Sequence, residues 1–327
     1  GREGGPRLQP RLPRLVASVT STPARLGGIE ETLLSVAVQS RRPDWLLLSL
    51  PRLSTREGRT YEVPANLAFF LRAHSWIEVV WLEEDYGPGT KFLGAVQWLR
   101  EKCTVEDDIL VVLDDDHWYR SGAMETIERC QRSQVDCALS FFAFFFRGIM
   151  VPQGADLISI SATRDRLEGL LSFYQVFVHG DAACFLVDDC WVAMYFWLCG
   201  LRVLSLRDLV LSQGAETIYE RTANASVAAL ADLAGRDRRD NAMRRAFDGL
   251  LARLLNAGPR LARWGGNGAE QRVRALDLEV RRAEARIQAL AGDAVAGGSA
   301  ADEHSSELAE LRRLYRMEVC AGNLCEA

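Results

Sequence analysis

The chain has 327 residues, 48% of them hydrophobic and 25% charged, which is enough for one large α/β domain with a smaller appendage. Its net charge of -5 argues against a nucleic-acid-binding protein, whose surface is ordinarily basic. Eight cysteines without a C-x-x-C pair exclude a small disulfide scaffold and argue against structural zinc, so most are expected to be buried and reduced, with disulfides in a lumenal compartment as the alternative.

Residues 1–13, rich in Pro, Gly and Arg, read as a flexible lead-in. Strands are then expected at RLVASVT (14–20), DWLLLSLP (44–51), WIEVVWL (76–82) and DILVVLDDD (108–116). Helices are expected between them, at GGIEETLLSVAVQS (27–40) and KFLGAVQWLREKC (91–103). Strands separated by helices of this length indicate a parallel sheet with right-handed crossovers. A helix over 121–133 with Ser121 as its cap follows, then a buried strand in the phenylalanine-rich segment 139–146. Residues 156–190 read as irregular and aromatic, 191–200 as a short buried helix closed by Gly200, and LRVLSL as a last strand.

From about residue 216 the composition shifts to Ala, Arg and Leu, which predicts a helical extension over 216–327 beside a domain at 14–215. Within it Val273, Leu276, Val280, Ala283, Ile287 and Leu290 alternate spacings of three and four, the pattern of a short coiled-coil seam. That seam packs either on the sheet domain or on a second copy as a homodimer. A break at 291–306 and a helix at 307–317 end the tail. The longest apolar stretches, 138–146 and 190–201, are too short to cross a bilayer. A cytoplasmic location and the Golgi or ER lumen both stay open.

The chemistry concentrates in EDDILVVLDDDHWY (106–119). An unbroken apolar run predicts a fully buried strand, and Asp114, Asp115 and Asp116 leave it at its carboxyl end, where open α/β sheets bind ligands. Three adjacent carboxylates repel unless a cation or a hydrogen-bonded loop stabilises them. Asp114 and Asp116 share one face of an extended segment, with Asp115 on the other. A hard divalent ion, Mn2+ or Mg2+, suits such carboxylates together with diphosphate oxygens. Lys91 opens a helix after GPGT, a natural site for a phosphate or a carboxylate.

These segments resemble the nucleotide-sugar glycosyltransferases of the GT-A fold, family 2-like, over roughly residues 14–215. The motifs S-T-P-x-R, D-Y-G-P-x-T-K, D-D-D and D-D-x-W, in this order, are similar to those of a set of microbial and viral glycosyltransferases. The resemblance implies a mostly parallel α/β sheet flanked by helices and an inverting transfer of sugar from a nucleoside-diphosphate donor to a hydroxyl acceptor, a glycan or another molecule. It implies that Asp114 contacts the ribose, Asp116 coordinates the metal and Asp115 supports the loop. Asp189 becomes the general base, with Asp188 orienting it or acting in its place. Thr20, Ser21 and Arg25 fall on the base side of the nucleotide. This chain has LLLSLPRLS where family 2 enzymes often carry an acidic pair that reads uracil, so UDP is not implied.

Competing readings attach to several of these residues. Asp188 and Asp189 also suit the start of a helix. His117 is a candidate supporting group behind the metal, and Trp118 or Trp191 could stack on a sugar, with core packing the better account of Trp191. His179 could line an acceptor pocket or be structural, and Asn224 opens an N-A-S glycosylation sequon. The rival functions are a haloacid dehalogenase-type phosphatase, a nucleotidyltransferase and a catalytically inactive scaffold.

Overall fold

The computed structural model describes residues 13–102, 108–212, 217–226 and 235–295, the backbone alone at 226, 235–240 and 290–295. Residues 1–12 of the expected 1–13 lead-in, Cys103, the 307–317 helix, and Cys320 and Cys325 lie outside the described residues.

In chain order the first half carries β1 (Leu15–Val19), α1 (Glu30–Ala37), β2 (Trp45–Pro51), a small hairpin of β3 (Leu53–Ser54) and β4 (Arg59–Thr60), α2 (Ala65–Ala73), β5 (Ile77–Leu82), α3 (Thr90–Lys102) and β6 (Ile109–Val112). Next come β7 (His117–Tyr119), α4 (Ala123–Ser133), β8 (Cys137–Ser140), a hairpin of β9 (Ala143–Phe146) and β10 (Ile149–Pro152), and β11 (Ile158–Ser161). The remainder holds α5 (Arg164–Phe173), α6 (Ala182–Phe185), α7 (Asp188–Leu198), β12 (Arg202–Ser205), α8 (Arg207–Ser212), β13 (Tyr219–Arg221), α9 (Gly235–Ala257), α10 (Ala262–Gly265) and α11 (Ala269–Val295).

Seven strands form the central sheet in the order β12-β8-β11-β6-β1-β2-β5. All neighbours run parallel except β11, which is antiparallel to both β6 and β8. The architecture is the expected mostly parallel α/β sheet flanked by helices, with helices at the C-terminal end. Period-two alternation builds its layers. Leu110 and Val112 of β6 join the core beneath α3, α5 and α7, while Ile109 and Val111 join the core beneath α1 and α4. Both faces are covered, so the strand reads as a continuous apolar run.

Four expectations need correction. The phenylalanine-rich segment is two strands, because Phe141 and Phe142 lie between β8 and β9 and the chain turns back at Arg147 and Gly148, both at positive φ. Residues 156–190 are ordered as β11, α5, a π-helical turn and α6. Ser121 does not cap α4; Gly122, at φ 89, takes the N-cap position without a side-chain bond. Helix α7 also begins at Asp188, three residues earlier than the apolar pattern suggests.

Val273, Leu276 and Val280 of the heptad seam are buried within the chain's own core, where α11 lies on α9 and α7. Arg147, itself buried, joins the hairpin tip to Asp248 of α9 and Glu284 of α11. Cys137, Cys184, Cys190 and Cys199 are free thiols, whereas Cys130 is disulfide-bonded. Among the described residues no helix is long and apolar enough to cross a membrane.

Helix α3 approaches the sheet closely at Gly94, where an added Cβ would sit 2.6 Å from Ser49 Cβ. In an open helix Gly→Ala stabilises by about 1 kcal/mol. Here overpacking wins, and Gly94→Ala is expected to cost about 1–3 kcal/mol. The check is thermal unfolding: a raised melting temperature would mean that α3 can lift off β2.

Candidate functional site

The site lies where β6 leaves the sheet. Tyr119, fully buried on β7, folds the acidic loop back on itself: the Asp114 N–H donates to its phenolic oxygen (3.1 Å), and its hydroxyl donates to the Asp114 carbonyl (3.5 Å). Gln39, just past α1, fixes the next turn by donating to the carbonyls of Tyr119 (3.1 Å) and Arg120 (2.9 Å). On β7 the burial alternates, so His117 and Tyr119 point inward and Trp118 faces solvent. That orientation turns Trp118 away from the acidic cluster. Trp191 is fully buried against Phe92 and Tyr174.

Asp114, Asp116 and His117 converge, with a ligand atom from each inside a 4.8 Å span. Asp115 points the other way and is buried. The Ser21 hydroxyl donates to its carboxylate, and Arg25 Nη1 lies 3.1 Å away. The Asp115 carbonyl accepts from the Thr32 hydroxyl (2.9 Å) and the Asn224 amide (3.3 Å). Burial pushes the Asp115 carboxyl up to about 6 despite Arg25. Burial acts the same way on Asp116, but there His117 and Arg25 together outweigh it and hold the carboxyl down at about 2.

The contacts of Asp116 are close but poorly aligned. Arg25 Nη2 and His117 Nδ1 each lie 2.7 Å from one of its oxygens, yet both nitrogens are buried without a directed hydrogen bond. Two carboxylates and an orphaned imidazole nitrogen form a donor set that fits a divalent cation. The imidazole favours Mn2+ over Mg2+, which prefers oxygen alone. These residues could hold a metal.

Lys91 is the second residue of α3 and is 4% exposed. Its ammonium lies 2.6 Å from Asp114 Oδ1 and 3.0 Å from Asp188 Oδ2. Burial alone would favour the neutral amine, but Asp114, Asp188 and Asp189 outweigh it and hold Lys91 charged, its pKa well above the ordinary lysine range. Thus the D-D-D loop and the D-D pair, far apart in sequence, meet at one side chain. Asp188 is buried and Asp189 partly so, both in the first turn of α7. Neither caps that helix; Val187 holds the N-cap position without a side-chain bond.

Other predicted residues are brought near or left aside. Thr20 donates to the Ser49 carbonyl (2.7 Å) at the end of β1. His179 lies apart, half-exposed and 2.7 Å from Glu84. Asn224 is 4% exposed and locked under the acidic loop, so its amide is unsuited to carry a glycan. The glycines of D-Y-G-P-x-T-K answer to packing: a Cβ on Gly89 would meet Trp191 at 2.8 Å, and one on Gly87, at φ 58, would strike the Phe185 carbonyl.

Sequence reasoning missed Gly154 and Asp156. A Cβ at Gly154 would lie 2.6 Å from Lys91 Nζ and against the Asp114 carboxylate, so this turn closes directly over the ion pair. Asp156 is buried, and burial pushes its carboxyl up to about 7, opposed by His117 and aided by Asp114. The G-x-D spacing alone carries no signal for either.

Two predictions follow from these charges. Arg25→Gln removes the counter-charge of buried Asp115 and is expected to cost about 3 kcal/mol at pH 8. At pH 5 the cost shrinks, because Asp115 takes up a proton; equal losses in denaturant titrations at both pH values would assign Arg25 a packing role only. Asp156 titrates normally at 3.8 and near 7 in the fold, so between those values only the unfolded chain releases the proton and stability falls as pH rises. With chelator present, Asp156→Asn should stabilise the chain at pH 8 by about 2 kcal/mol and flatten the pH dependence from 4 to 7. Unchanged melting curves at pH 8 would count against a buried charge there.

No family model matches the chain, and no curated protein matches it in sequence. Among solved structures 107 chains match. One is a 4-diphosphocytidyl-2C-methyl-D-erythritol synthase, 13% identical, with 59% of this chain and 90% of that chain covered at a TM-score of 0.36.

Proposed function

We propose that this chain is a metal-dependent glycosyltransferase that moves a sugar from a nucleoside-diphosphate donor to a hydroxyl acceptor with inversion. The observation that carries this reading is the Lys91 ammonium between Asp114 and Asp188. It joins the cluster of Asp114, Asp116 and His117, a candidate for a cation, to a second acidic pair at the carboxyl end of a central strand, where α/β sheets take their ligands. The motif order S-T-P-x-R, D-Y-G-P-x-T-K, D-D-D, D-D-x-W points the same way.

In this reading Asp114, Asp116 and His117 would hold Mn2+ or Mg2+, which when bound would supply positive charge against the diphosphate. Asp189 takes the proton from the acceptor hydroxyl as that oxygen attacks the anomeric carbon. Asp188, engaged by the Lys91 ammonium at 3.0 Å, positions its neighbour. Asp114 reaches the ribose, and Thr20 and Arg25 line the nucleotide side. Lys91 supplies positive charge between donor and acceptor halves, and Asp115 with Ser21 and Arg25 keeps the loop rigid.

Calorimetric titration with UDP, GDP and dTDP, with and without Mn2+, tests this directly. Wild type is expected to bind one nucleotide only with Mn2+, and Asp116→Ala to lose that binding. Asp189→Asn is expected to retain binding while sugar transfer drops at least about a hundredfold. Binding of no nucleotide under any metal would sink the proposal. Release of pyrophosphate from a nucleoside triphosphate would reassign the site to nucleotidyl transfer.

A further inference from the structure

Asp156 ends the 3-10 turn Gly154–Asp156 and is 5% exposed. Its backbone is fully used: the N–H donates to the Gln153 carbonyl (3.1 Å), and the carbonyl accepts from the Phe141 N–H (3.0 Å) and the Ser140 hydroxyl (3.3 Å). The carboxylate, by contrast, has no hydrogen bond or ion pair among the described residues. Its oxygens are not among the fully enclosed side-chain atoms that lack a partner, so at 5% exposure they keep a little contact with solvent, yet a carboxylate this deep is ordinarily paired. The chain even accepts a rare backbone conformation beside it, since Leu157 is held at φ 54 and fully buried.

The surroundings say what this group is for. Its charge is felt by His117 and Asp114 of the acidic cluster and by the phenols of Tyr119 and Tyr219. Gly154, two residues earlier, touches the Asp114–Lys91 pair. No arginine or lysine reaches its carboxylate within ion-pair distance among the described residues. We propose that Asp156 is a positioning residue of the cation site, a buried negative charge just outside the Asp114–Asp116–His117 cluster that strengthens the hold on a divalent cation. With no hydrogen bond to any of the three ligands, it acts by adding field, without touching the metal. This inference rests on the cation site proposed above and adds a residue to it.

The test is Mn2+ alone, titrated at pH 8 into wild type, Asp116→Ala, Asp156→Asn and, as a distant acidic control, Asp136→Asn. Asp156→Asn is expected to bind Mn2+ at least about tenfold more weakly, and to show a smaller Mn2+-induced rise in melting temperature. Asp136→Asn should match wild type. If Asp116→Ala loses Mn2+ while Asp156→Asn stays within about twofold of wild type, this inference is overturned and the cation site stands. If wild type binds no Mn2+, both fall. Circular dichroism confirms the fold of each variant, and Asp156→Ser reads the same loss of charge should the Asn side chain disturb the turn.

Discussion

A lysine ammonium almost stripped of water organises this site. Held neutral it would leave two carboxylates uncompensated, and held charged without them it would face the full cost of burial. With Asp114 on one side and Asp188 on the other, both problems cancel. The arrangement ties α3 to the end of β6 and to the start of α7. The Ser18 hydroxyl, from β1, adds a bond of 2.6 Å to the Lys91 carbonyl. Four elements therefore converge on one residue, and Gly154 closes over it, where a larger residue would push the Asp114–Lys91 pair aside.

Around that strut the acidic loop is divided by function of direction. Asp115 turns inward and is spent on Ser21 and Arg25, which gives the loop its rigidity. Asp114 and Asp116 instead converge with the buried His117. Arg25 serves both groups, since one guanidinium nitrogen faces Asp115 and another faces Asp116. A cation arriving at Asp116 would thus compete with an arginine already there, which limits affinity and makes binding sensitive to the rest of the local field.

The parts of this design that the sequence exposed are those written as long apolar runs. Leu46–Leu48 and Ile109–Val112 announce strands because both their faces are covered. Strand β11 was hidden, because Ser159 and Ser161 interrupt its apolar residues and its antiparallel course has no local signature. Helix α2 was hidden too, with Phe69 and Phe70 side by side and Phe69 largely exposed. At the site, the three consecutive aspartates stood out by charge alone. Asp156 did not, since what distinguishes it is burial without a partner, a property of the fold and not of the residue type. Lys91 was legible as a cation at a helix start, whereas its two carboxylate partners became visible only in three dimensions.

The short strand β13 pairs residue by residue with β7, Tyr219 opposite Tyr119 and Arg221 opposite His117. Just beyond it the Thr222 N–H donates to the Asp116 carbonyl at 3.0 Å and Asn224 reaches the Asp115 carbonyl. These residues come after the point where the composition turns helical and Arg-rich, yet they clasp the acidic loop from outside. The stretch from Tyr219 to Asn224 therefore belongs with the acidic loop rather than with the helices that follow it. A chimera joining this sheet to another protein's tail would need a matching clasp, and evolutionary exchange of the two regions is constrained by the same few hydrogen bonds.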